Sequence, residues 1–266
     1  MNMKRYLMML IALVALASGT KVMAADESYA VYNEGTLMFC HDSQRSSRTG
    51  TTYDLNTDTN KPGWYSDGNY ADVEIVLFDP SFKSARPMST CSWFHNMKKL
   101  VSIYGNNLNT SEVTVMDTMF FGCSSLTGLD LSSFDTSNVT NMYQMFYGCS
   151  SLTTVYVGSE WSTKYVPNSQ SMFYDCSEIK GEQGTQYDAN HTDAAYAHID
   201  GGPSYPGYFT GVQGGVVTGV SEASPLNKKG EMSDDQSAPL YNLRGQRVSH
   251  PVKGQIYIQN RRKVKF

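Results

Sequence analysis

One octapeptide, repeated at a nearly constant interval, limits what this chain can become. Met119-Phe120-Phe121-Gly122-Cys123-Ser124-Ser125-Leu126 returns 26 residues later as Met145-Phe146-Tyr147-Gly148-Cys149-Ser150-Ser151-Leu152. It returns again after 27 as Met172-Phe173-Tyr174-Asp175-Cys176-Ser177-Glu178-Ile179. A worn copy precedes them, Trp93-Phe94-His95-Asn96-Met97 followed by Leu100, and Val113/Val139 and Met116/Met142 keep the same offset. One such unit cannot bury its own apolar face, but stacked copies can, and their recurring side chains then line up as interior columns. Phe120, Phe146 and Phe173 are expected in one such file.

Within a unit, Val139, Met142, Met145 and Phe146 fall at i, i+3, i+6 and i+7, the spacing of one side of a short helix. Ser137 or Asn138 would cap its start and Gly148 its end. Leu126, Leu129 and Leu131 then follow the alternation of a half-buried strand. Helix, turn, strand and loop every 26 residues predict an α/β fold, a short solenoid over residues 91–180. His95 is placed on the polar side of the first helix. Cys123, Cys149 and Cys176 share a position that Met97 occupies in the worn copy, so they are expected to be buried free thiols that fill space. Repeat-locked Met beside Phe is likewise core filler. Cys40 and Cys91 lie outside the register and are free to pair with each other.

The flanks differ in character. Lys4 and Arg5 precede an apolar run from Tyr6 to Ala17, and Val22-Met23-Ala24 resembles a cleavage site, so residues 1–24 are expected to be an export signal. Residues 25–90 are expected to be a β-rich N-terminal cap, 181–210 a C-terminal cap, 211–239 a linker and 240–266 a basic β-hairpin tail. The formal net charge is −4, yet Leu240–Phe266 holds seven basic residues and no acid, so residues 25–239 carry a net charge near −14. That balance argues against nucleic acid as a partner.

Phe146-Tyr147-Gly148-Cys149-Ser150-Ser151-Leu152, with Leu129-Asp130-Leu131-Ser132-Ser133-Phe134-Asp135-Thr136-Ser137-Asn138-Val139, resembles the repeat of BspA-like leucine-rich-repeat surface proteins of Bacteroidales and mycoplasmas. The resemblance covers roughly residues 91–180. It implies a leucine-rich-repeat-like solenoid, an exported surface protein, and attachment to host matrix proteins or to other bacteria. With three clear repeats and one worn one, the binding surface should be small. Tyr241-Asn242-Leu243-Arg244-Gly245-Gln246-Arg247-Val248, with Lys253-Gly254-Gln255-Ile256-Tyr257-Ile258, resembles the last strands of a type IX secretion sorting domain, which implies a sorting signal. The other reading of this tail is a hairpin drawn to the acidic body by its charge.

Strand positions between buried leucines face outward, so Tyr104, Asp130 and Tyr156, related by 26-residue steps, are the candidate ligand-binding residues. Ser102, Gly128 and Thr154 would form a neighbouring column, and Asn106, Ser132 and Gly158 another. Plain solvent-facing residues are the competing reading of the same positions. His191, Asp193, His198 and Asp200 are ligand types close in sequence, but without a recurring metal-site spacing they read as polar loop residues. No metal and no cofactor are expected.

No Gly-x-Ser-x-Gly, P-loop or His-Glu-x-x-His occurs, and no enzyme activity is expected. The function expected is a secreted or cell-surface binding protein that contacts host or bacterial surface proteins, with glycan as a further ligand class. The alternatives are a structural surface component without a ligand and, behind it, a carbohydrate-active enzyme.

Overall fold

The structure is a computed structural model that describes residues 24–104 and 107–212, together with four strands between residues 240 and 265. The expected export signal and the expected linker lie outside the described residues, apart from Ala24, Gly211 and Val212.

The N-terminal part is a five-stranded sheet. β1 (Glu27–Asn33) and β2 (Thr36–Asp42) form a hairpin whose turn residues Glu34 and Gly35 both have positive φ, 43° and 79°. That conformation matches the twist of paired strands and suits glycine at the second position. β3 (Thr51–Asp54) pairs antiparallel with β1, while β4 (Ile75–Phe78) runs parallel to β2 and β5 (Ser102–Tyr104) parallel to β4. β6 (Gly128–Leu131), β7 (Thr154–Val157) and β8 (Phe209–Gly211) form a separate three-stranded parallel sheet. Near the C terminus β9 (Leu240–Asn242), β10 (Arg247–Val248), β11 (Ile256–Gln259) and β12 (Arg262–Lys265) make an antiparallel sheet of order β10-β9-β11-β12.

This overturns the predicted fold class. Among the described residues the only α-helix is a four-residue turn at Gly63–Ser66, and the repeats contain none, so the α/β solenoid of helix–turn–strand coils is not what the chain forms. The tail, expected as a hairpin, has four strands.

The predicted helices are runs of tight turns. Met119, Phe121 and Cys123 donate their amides three residues back, to Met116, Thr118 and Phe120. The alternate amides of Thr118, Phe120 and Gly122 instead donate to the carbonyls of Tyr143, Met145 and Tyr147 in the next repeat, at 2.7–2.9 Å. An α-helix keeps every such bond within itself, four residues back. Here half of them join one repeat to the next. Each run also contains two left-handed residues, Ser92 and Asn96, Thr118 and Gly122, Gln144 and Gly148, Ser171 and Asp175. Gly, Asn and Asp take that conformation readily, but for Thr118 and Gln144 it costs about 1–2 kcal/mol each, which the bonds between repeats must offset. A three-residue turn and a 3.6-residue helix place apolar residues at nearly the same spacing, so the periodicity alone does not separate them.

The interior columns are present. Phe120 and Phe146 stack at 5.5 Å and 6°, Phe146 and Phe173 at 5.4 Å and 10°, and Phe94 lies 5.3 Å before Phe120. Phe39, Phe78 and Trp93 close one end of the file, and Tyr208 and Phe209 meet Phe173 edge-on at the other. All five cysteines are free and buried, Cys40 and Cys91 included. The thiols of Cys123, Cys149 and Cys176 reach the carbonyls of Phe94, Phe120 and Phe146 at 2.9–3.0 Å. Burial pushes these thiols well above their ordinary range, so they are unreactive packing groups.

Candidate functional site

The outer face of the three-stranded sheet follows from strand alternation. Leu129 and Leu131 on β6, and Val155 and Val157 on β7, point into the core, so Asp130 and Tyr156 between them point out and are half-buried. The register sets Asp130 directly beside Tyr156, and Tyr156 beside Thr210. Asp130 Oδ1 accepts the Ser132 amide at 2.9 Å. That turn holds the carboxylate in place. Beside them Gly128 pairs with Thr154. Gly158 passes so close to Ser132 that a Cβ there would lie 2.2 Å from the Ser132 carbonyl oxygen. The surface offers one acid, one phenol and small hydroxyls, groups able to hydrogen-bond and to lay an aromatic ring against a partner.

Tyr104 belongs elsewhere. Its strand hydrogen-bonds β4, where Tyr104 sits opposite Leu77, and β5 and β6 are in different sheets. Tyr104 is half-buried against the apolar outer face of the N-terminal sheet, and burial pushes its hydroxyl up. Asp130 and Tyr156 thus stand side by side in one sheet, while Tyr104 is hydrogen-bonded into the other, whose last strand adjoins β6 without a ladder between them. A small apolar cavity marks the break between the sheets, lined by Ile103, Leu108, Leu129, Leu131 and Phe134 with Asp130 at its side. Of the third column, Asn106 lies outside the described residues.

The four residues of metal-ligand type do not converge. His191 Nδ1 pairs with Asp188, Asp193 caps a short turn by accepting the Ala195 amide, and His198 Nδ1 meets the Ile199 carbonyl. Asp200, 2% exposed, accepts the amides of Gln183, Thr185 and Gly202 and the Thr185 hydroxyl at 2.7–3.0 Å. Burial alone would raise its carboxyl, but the Thr185 hydroxyl and these amides outweigh that and hold it at about 2. Among the described residues no group of three or more His, Cys, Asp or Glu is placed to hold a metal ion.

Three features escaped the sequence. His95 is buried, not on a polar side. Its ring stacks on Phe121 at 4.6 Å, and burial, with Lys61 beside it, pushes it down to about 4. Phe121, Tyr147 and Tyr174 continue this second file of rings at 4.8–4.9 Å, a spacing that their 26- and 27-residue offsets could have revealed. Thr110 and Thr136 are buried and bridge successive turns, each hydroxyl donating to one backbone carbonyl and accepting one amide.

Residues 86–200 match the model of a family described as a Mycoplasma protein of unknown function, DUF285. Comparison with curated proteins and with solved structures gives no match. Among the described residues no helix is long and apolar enough to cross a membrane.

Proposed function

We propose that this protein is exported and acts at the cell surface as a non-enzymatic binding module, with the outer face of β6 and β7 as its contact surface. One observation carries the reading. Every inward position of these strands is buried, while the outward positions Asp130 and Tyr156 stand in register, half-exposed and chemically varied. The partner class in this reading is a protein of the host matrix or of another bacterium. The resemblance to BspA-like surface proteins supports that class, as does the match of residues 86–200 to a mycoplasma family. The rigid stack beneath the face supports a preformed site, which lowers the ordering cost of binding.

The test immobilises residues 25–266 and measures binding of a panel of soluble matrix proteins and of whole bacterial cells. Binding that Asp130→Ala or Tyr156→Ser weakens about tenfold, roughly 1.4 kcal/mol, with an unchanged melting temperature, supports the reading. Binding that neither substitution alters moves the contact surface elsewhere. If nothing in the panel binds, a structural surface component is the better description.

A further inference from the structure

The five-stranded sheet has two apolar faces, and only one of them is accounted for by the repeats. Ala30, Leu37, Phe39, Val76 and Phe78 point into the main core. Tyr29, Val31, Met38, Cys40, Ile75 and Leu77 point the other way and form a second cluster, against which Tyr104 packs. The run Leu37–Cys40 and the run Ile75–Phe78 are apolar without alternation, which is how a strand covered on both sides reads.

The second face is also dry. Cys40 is 0% exposed, Val31 2%, Leu77 3% and Met38 5%, values that neighbours within one sheet layer do not produce by lateral contact alone. At one end, Arg45 lies over the Tyr29 ring, and Arg48 with Asp42 closes on the Tyr29 hydroxyl. Val31, Met38 and Leu77 belong to this cluster, against which Tyr104 packs.

We propose that the C-terminal sheet β9–β12 docks on this second face, so that the two sheets form a sandwich within one chain. Three observations converge on this occupant. A sheet of four strands, each two to four residues long, is too small to hold a core alone and needs a second layer. The N-terminal sheet has a second apolar face, contributed by β1, β2, β4 and β5, that is dry although it points away from the main core. The charges complement each other overall: the tail segment is seven residues basic with no acid, against a body near −14, and near the N-terminal sheet Glu27 and Asp54, which share Arg45, and Asp72, which pairs with Lys99, keep their carboxylates partly exposed. The 27 residues from 213 to 239 can span up to ~90 Å, ample for the return. Docked there, the tail would cover Tyr104 and leave Asp130 and Tyr156 open.

Carbodiimide cross-linking of the chain 25–266, read by mass spectrometry, tests this. The expected links join Lys253, Lys263 or Lys265 to Glu27, Asp54, Asp72 or Glu74, within one molecule when light and heavy isotope-labelled protein are mixed. Links confined to acids of the repeats, such as Glu160 or Asp175, would overturn the proposal. So would links that form only between light and heavy copies, which would make a second molecule the cover. Cys40 provides an independent readout in the same full chain. Lys263→Glu with Lys265→Glu should speed maleimide labelling of Cys40 by about fivefold or more, through more frequent local opening. Cys123, Cys149 and Cys176 should stay unlabelled and so report an intact core. A Cys40 rate equal to that of the unaltered chain would count against docking.

Discussion

The N-terminal sheet and the three-stranded sheet of the repeats share a strand spacing and an inner core, yet they treat their outer faces in opposite ways. On β1, β2 and β4 the outward residues are Val31, Met38, Cys40 and Leu77, all buried. On β6 and β7 they are Asp130 and Tyr156, half-exposed. The first pattern belongs to a middle layer, the second to a layer with water on one side. The change falls between β5 and β6, where the hydrogen-bonded sheet also divides. One outer face of the molecule is therefore dry, and the adjoining one meets solvent.

Substitutions can break this contrast or sharpen it. The largest effect is expected in the core that both regions share. Phe146→Ala removes the middle of the ring file and should lower stability by about 4 kcal/mol in urea denaturation, whereas Tyr147→Ala in the half-buried outer file should cost about 1 kcal/mol. Next comes the direct comparison of outer faces. Leu77→Lys places an unpaired charge on a dry face and should cost about 3 kcal/mol, while Tyr156→Lys should stay within about 0.5 kcal/mol. Equal losses from these two would abolish the distinction.

Asp200→Asn comes third, at about 2 kcal/mol, because it weakens several charge-assisted bonds at once. Its sign with pH is fixed: a carboxyl held at about 2 in the folded chain and near 3.9 in the unfolded one stabilises fully above pH ~4. The difference in melting temperature between the native chain and Asp200→Asn should therefore shrink as pH falls from 4 to 2. Fourth comes Cys149→Ala, about 1 kcal/mol for one thiol bond and a small void. Calorimetry of the two chains measures it.

What could be read before the structure depended on whether identity or backbone geometry carried the information. The register, the file of Phe120, Phe146 and Phe173, and the burial of Cys123, Cys149 and Cys176 were legible because the same apolar side chain returns at the same offset. The pairing of Asp130 with Tyr156 was legible for the same reason. The helix was a misreading, since no side chain announces that Thr118 and Gln144 take left-handed backbone, or that every second amide crosses to the next repeat. Tyr104 has the right offset but the wrong sheet. Its strand is claimed by β4, whose residues contain no copy of the repeat. The second apolar face was visible as the unbroken runs Leu37–Cys40 and Ile75–Phe78, although a run alone does not say what lies above it.

The perpendicular rings at the end of the phenylalanine file have a consequence for where the stack ends. Parallel rings invite another ring, and a stack of them has no inherent stopping point. Tyr208 and Phe209 meet Phe173 at 79° and 69°, and Thr192 accepts the Phe173 amide that a further repeat would have taken. The file thus ends against rings set across it, and Phe209 also reaches back to Phe146 and to β7. A ring placed across the file offers the next one no parallel face, so the stack is closed by geometry and not by running out of sequence.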